Sequence, residues 1–220
     1  YVQQGSNEDY LALLEYVKTH DMSVTENYEY VKTKMDVQNF IDYMLIEMYC
    51  GNTDTGNIKF YMSPDTDGKW RWVLYDTDWS FMTRYISLDM VEEYIDPRGH
   101  GTGNMFDTTL QVNLLKNSEF RSLFLERAAY SCNVMYNPET VVARINELEA
   151  MLDPEMERDR TYWNQYSKDD PNAGAISYAG WKKMVGRLRE YATGHPEYFK
   201  QYIREDLHMT DAEYAQYFGE

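Results

Sequence analysis

The feature that most constrains this chain is a change of hydrophobic period about a quarter of the way along it. Residues 57–62 and 69–75 form two short runs rich in aromatic and β-branched residues, in a sequence whose other apolar residues recur at helical spacing. Between them lies Ser63-Pro64-Asp65-Thr66-Asp67-Gly68, with the Asp-Gly signal of a hairpin turn. Asp65 and Asp67 are read as turn residues, because the rest of a calcium-loop ligand pattern is missing. Antiparallel strands joined by a tight turn bring their outer ends together. The loop before the first strand carries Asp54 and Asn57, and the loop after the second carries Asp76 and Asp78. These two loops are therefore expected to be neighbours.

Around the hairpin the chain reads as helix, so the fold class is α+β, mostly α, as a single domain over 1–220. Ser6 with Asp9 resembles a capping box ahead of Leu11, Leu14 and Val17. A segment from Asn27 to Met35 leads into a stronger helix opening at Asp36, with Val37, Phe40, Met44 and Met48 on one face and Ile41 and Leu45 beside it. Residues 79–105 look irregular. Ser118 to Met135 is helical, with Phe120, Phe124 and Ala128 on one face. Asn137-Pro138-Glu139 opens a helix expected to end at Leu152, with Asp153-Pro154 starting another. Ser177 caps a helix holding Trp181, Val185 and Leu188, and segments at Pro196 and Thr210 close the chain.

Charge narrows the function classes. With 37 acidic and 21 basic side chains the net charge is −16. Nucleic-acid binding draws on Lys and Arg to release counterions, so nucleic acid and anionic lipid are excluded as partners. Phosphate-rich ligands need an intervening cation. Apolar residues make up 43% of the chain, too many for a disordered segment. No apolar run approaches the roughly 20 residues that span a bilayer, so no membrane insertion is expected. The first residue is Tyr1, which is expected of a chain with a removed leader or a missing upstream part. Cys50 and Cys132 fit neither a disulfide framework nor a zinc site, and whether they pair stays open.

Three carboxylates held close together repel unless protonated or bound to a cation, so Asp54, Asp76 and Asp78 point to a hard-metal site. Mg²⁺, Mn²⁺ and Ca²⁺ suit oxygen ligands, and Mg²⁺ combines a few carboxylates with substrate phosphates. Phosphoryl transfer uses such parts: a carboxylate near the nucleophile, an Asn, and a second Asp on the metal. Gly99-His100-Gly101-Thr102-Gly103-Asn104 is not a P-loop, since it lacks a preceding strand and a Lys-Ser/Thr pair. It reads as an active-site flap or a surface loop.

The ordered set of residues from Asp36 to Phe81 resembles the CotH (spore coat protein H) kinase family. It comprises Asp36 and Phe40 opening a helix, Gly51-Asn52-Thr53-Asp54, Asn57 before a Phe-Tyr strand, Lys69-Trp70, then Asp76-Thr77-Asp78 with Ser80-Phe81. Weaker likeness continues through Asn117 to Arg127 and Arg158-Asp159 near Trp163, so the resemblance covers about residues 25–200. Where the family usually has Gly after the Ser-Phe step, this chain has Met82.

The resemblance implies the helical, carboxy-terminal-lobe-like part of a protein kinase-like fold, with the amino-terminal lobe expected upstream. It implies Asp54 as the catalytic residue and Asn57, Asp76 and Lys59 as cofactor-binding residues. Asp76, Asp78 and Asn57 are then the metal ligands, and Arg84 is a further candidate for phosphate. The cofactors are Mg²⁺ or Mn²⁺ with ATP, and the partners a nucleotide and a protein substrate. The implied location is extracellular, at a bacterial cell surface or spore coat. An alternative from the residues alone is a non-catalytic surface module with structural Ca²⁺, and a weaker one is a coat-assembly scaffold.

Overall fold

A computed structural model describes residues 2–96, 107–166 and 177–219. The centre of the fold is α3 (Val37–Cys50), which buries residues on nearly every side, including Phe40, Ile41, Met44, Leu45 and Met48. A helix apolar all round belongs in a core. Asp36 caps it by accepting from the Asn39 amide at 3.1 Å, and Gly51 ends it in the left-handed conformation (φ 63°).

The other helices wrap this one. α1 (Glu8–Thr19) and α2 (Thr25–Lys34) precede it. α6 (Ser118–Tyr130) buries Phe120, Phe124, Leu125 and Ala128, and its Arg127 grips Asp42 of α3 with two bonds of 2.7 and 2.8 Å. α8 (Tyr178–Asp206) lays Tyr191, His195, Phe199 and Ile203 into the core. α9 (Asp211–Phe218), capped by Thr210, is tied back by an Arg121–Glu213 ion pair.

The only strands among the described residues are β1 (Lys59–Tyr61) and β2 (Arg71–Val73), paired antiparallel with Phe60 opposite Trp72. Both are shorter than the runs 57–62 and 69–75 because the ladder stops where side chains take over. Beyond Lys59 and Val73 the crossing bond runs between the side chains of Asn57 and Asp76, and Asp76 has a left-handed φ of 56°. The hairpin is pinned to the α2–α3 junction. Trp70 donates to Lys34 O (2.9 Å) and accepts from Asp36 N (3.0 Å), while the Asn39 side chain bonds both N–H and C=O of Trp72. Asp67 holds Arg71 through two 2.7 Å bonds, and Arg71 reaches Asp36 at 3.0 Å. The turn reading of Asp67 agrees with this pairing. Tyr10 of α1 packs on Phe60 with ring centroids 4.3 Å apart, closing an aromatic cluster with Trp70 and Trp72.

Several expectations need correction. Asp153-Pro154 does not start a helix: α7 runs unbroken from Pro138 to Tyr166. Polar contacts to antiparallel α8 hold the turn of α7 that leads into the proline. Asp153 accepts from Tyr178 (2.5 Å) and Lys182 (3.2 Å), and Glu149 pairs with Lys182 (2.6 Å) and Arg189. Pro196 likewise lies inside α8. The stretch 79–105 is not wholly irregular, since it contains a 3₁₀ turn (Thr83–Tyr85) and α4 (Met90–Ile95). Asp89 caps α4 and Met90, Val91 and Tyr94 bury its face, a helical signal overlooked for its shortness. A further short helix, α5 (Thr109–Leu114), follows. Gly99 to Asn104 lie outside the described residues.

Ser6 and Asp9 form no capping box. Asn7 holds the cap position, and Ser6 Oγ accepts from Glu8 N at 3.1 Å. The face of α1 that is buried carries Leu13 and Val17, whereas Leu11 is exposed. The helix from Ser118 turns into a single π-helical turn at Ser131–Met135. Cys50 and Cys132 are both buried free thiols, each pushed up to about 12 by burial.

Candidate functional site

The site grows from the carboxy-terminal end of α3. Gly51 is required there twice over: its φ is left-handed, and a Cβ would sit 2.6 Å from the Tyr191 hydroxyl oxygen. The chain then turns back so that Asn52 N–H bonds Glu47 O. The Asn52 side chain is buried, donating to Glu47 Oε2 (2.8 Å) and accepting from Asp54 N (3.1 Å). Asp54 O in turn accepts from Asn57 N at 3.0 Å, closing a tight turn that leaves the Asp54 side chain in solvent.

From the second strand comes Asp76. Asn57 Nδ2 donates to Asp76 Oδ2 at 2.7 Å, and the Tyr75 hydroxyl donates to Asn57 Oδ1. The Lys59 ammonium lies 3.9 Å from the Tyr75 ring centroid, a cation–π contact that places its charge beside the same group. Non-glycine residues with positive φ are uncommon, and Asp is among those that tolerate it. Phe81, five residues on, is also left-handed. Its N–H bonds Cys50 O at 2.9 Å while Ser80 Oγ donates to Cys50 Sγ at 3.1 Å. The end of α3 thus anchors both loops.

The hairpin joins Asn57 to Asp76, with Lys59 alongside, but it does not gather all the acids. Among the described residues no three His, Cys, Asp or Glu side chains are grouped so as to hold a metal ion. The expected convergence of Asp54, Asp76 and Asp78 is therefore corrected. All three are exposed, and like charges free to separate in water have no reason to crowd. What remains is the Asp76 carboxylate, which accepts from the Asn57 amide nitrogen, and the Asn57 carbonyl, which accepts from the Tyr75 hydroxyl, with the Asp78 carboxylate two residues further on. Hard oxygens of this kind fit an ion of the Mg²⁺ class, which takes one or two carboxylates and fills its other positions with water and phosphate. Arg84 is engaged locally, over the Tyr85 ring (4.7 Å) and on Met82 sulfur (3.2 Å).

Glu47 escaped the sequence reading. It is 3% exposed beneath the loop. Burial raises its carboxyl above the usual range, the Asn52 and Tyr43 side chains pull it back, and Asp54 pushes it up again. The signal was a lone acid inside the apolar run Tyr43-Met44-Leu45-Ile46-Glu47-Met48-Tyr49. Tyr75 was missed too, because its hydroxyl contact with Asn57 depends on strand register.

A mostly helical lobe whose acidic loops meet across one hairpin is the class of protein defined so far. The family model for CotH kinase protein matches residues 1–199, and the chain belongs to the CotH kinase family. No curated protein and no solved structure matches it. The match places the chain among kinase-like proteins of a family associated with spore coats. No helix among the described residues is long and apolar enough to cross a membrane.

Proposed function

We propose that this chain supplies the catalytic loop and metal site of a protein kinase that transfers phosphate from ATP to a protein hydroxyl. The observation that carries the reading is the Asn57–Asp76 side-chain bond. It unites the turn after α3 with a left-handed Asp at the end of β2. The Asp76 carboxylate and Asn57 Oδ1, which here accepts from the Tyr75 hydroxyl, would hold the ion, with Asp78 as companion. Mg²⁺ or Mn²⁺, when bound, neutralises the nucleotide phosphates. Lys59, already beside Tyr75, adds a positive charge at the same edge. Asp54, in the turn that Asn57 closes, orients the acceptor hydroxyl and takes its proton as oxygen attacks the γ-phosphorus and the bond to ADP breaks.

The acceptor is proposed to be a protein of the spore coat or cell surface. The test is phosphate incorporation from ATP into protein, measured with the full-length protein containing this chain, with and without Mg²⁺ or Mn²⁺. Asp76→Ala is expected to lower the rate by about 10²-fold or more, since it removes a charge that acts on the transferring phosphoryl group. Full activity in Asp76→Ala would remove the role assigned to it. Tight Ca²⁺ binding in calorimetry, with no response to Mg²⁺-ATP, would favour a non-catalytic binding module instead.

A further inference from the structure

Glu47 stands where the packing of α3 asks for an apolar side chain. A buried carboxylate is costly unless its oxygens are engaged, and an aliphatic residue there would avoid the cost. Its contacts explain its presence. Asn52 Nδ2 donates to Glu47 Oε2, and Asn52 Oδ1 accepts from Asp54 N. An Asn amide can be turned end for end, and only its oxygen end can receive the Asp54 N–H. The carboxylate of Glu47 is an acceptor, so it claims the NH₂ end and leaves the oxygen facing Asp54. The same turn continues to Asn57 through the Asp54 O···H–N Asn57 bond, and Asn57 meets Asp76. One buried acid therefore sets the direction of a relay that reaches both halves of the site.

We propose that Glu47 is a positioning residue for phosphoryl transfer, acting through Asn52 to fix the backbone at Asp54. The proposal rests on the kinase reading above for its catalytic consequence, but the ordering of the loop is measurable without it. Gln at position 47 can offer a carbonyl oxygen to Asn52, whereas Leu fills the space and offers nothing.

The experiment compares Glu47→Gln and Glu47→Leu in the full-length protein by two readouts. Amide hydrogen exchange over residues 51–57 is expected to quicken about tenfold in Glu47→Leu, with residues 120–128 of α6 unchanged, and to stay near wild type in Glu47→Gln. In phosphate incorporation, Glu47→Leu is expected to lose about tenfold to a hundredfold in kcat, with KM for ATP little changed, and Glu47→Gln to retain most of the rate. Loop exchange unaltered in Glu47→Leu would overturn the proposal. So would equal damage from Gln and Leu, or faster exchange throughout the helices, which would mark a plain stability effect. Should Glu47→Leu not fold, Asn52→Ala breaks the relay from its other end and must loosen the same loop. If the wild-type protein transfers no phosphate, the kinase reading fails, and the exchange arm still decides whether Glu47 orders the loop.

Discussion

At Gly51 a conformational demand and a steric one coincide, and they can be separated. The left-handed φ disfavours any side chain, and the Tyr191 hydroxyl 2.6 Å from the Cβ position forbids one unless it moves. Gly51→Ala is expected to destabilise the protein by about 1–3 kcal/mol in denaturant melts. Made on a Tyr191→Phe background, the same change should be milder, since the obstructing oxygen is gone. The coupling in that double-mutant cycle measures the steric share, and purely additive effects would assign the whole penalty to the backbone. Tyr191 also donates to Tyr49 O at 3.0 Å, so Tyr191→Phe alone carries a penalty that the cycle subtracts.

Among the elements, the contact between α4 and α8 carries a pH dependence. Asp206, the last residue of α8, has its carboxyl raised to about 7, first by burial and then by the charges of Asp89 and Glu92. Asp89, which caps α4, is raised by burial as well, with Glu92 adding to the shift. A carboxyl whose folded pKa exceeds its unfolded value binds protons more tightly when folded. Stability from this contact is thus present at low pH and is lost as pH climbs from about 4 through 7. Asp206→Asn keeps the neutral form. Its thermal midpoint should match wild type near pH 4 and exceed it at pH 8, and a difference independent of pH would refute the assignment.

The elements also show what was legible in the sequence. The period of α3 and the Asp-Gly turn gave the central helix and the hairpin, and with them the meeting of Asn57 and Asp76. Pro154 misled because the rule that proline breaks helices is local, while the bonds from Asp153 and Glu149 to α8 are made by residues some 30 to 40 positions away. Glu47 was overlooked because an acid within a helix is usually solvated, and only packing shows that this one is enclosed. The three-carboxylate cluster failed for the opposite reason. Proximity of loops fixes backbones to within several ångströms, and side-chain direction decides the rest.

For the whole molecule, a net charge of −16 means that each added carboxylate is held against general repulsion, and a bound cation relieves it. If Mn²⁺ binds the Asp76–Asn57 pair, the ion at about 100 times its dissociation constant should add about 2.7 kcal/mol to folding, seen as a raised thermal midpoint. Asp76→Ala should abolish most of that rise. A rise of equal size in the variant would place the ion elsewhere.

The left-handed backbone at Asp76 bears on which replacements position 76 can accept. The position selects on two axes at once, chain shape and charge, and very few amino acids satisfy both. Asn tolerates the shape and lacks the charge, whereas Glu keeps the charge on a side chain much less at home in that conformation. The swap that looks chemically gentler is therefore the more disruptive of the two, and any drift at this position is confined to a narrow alphabet in which Asp alone keeps both properties.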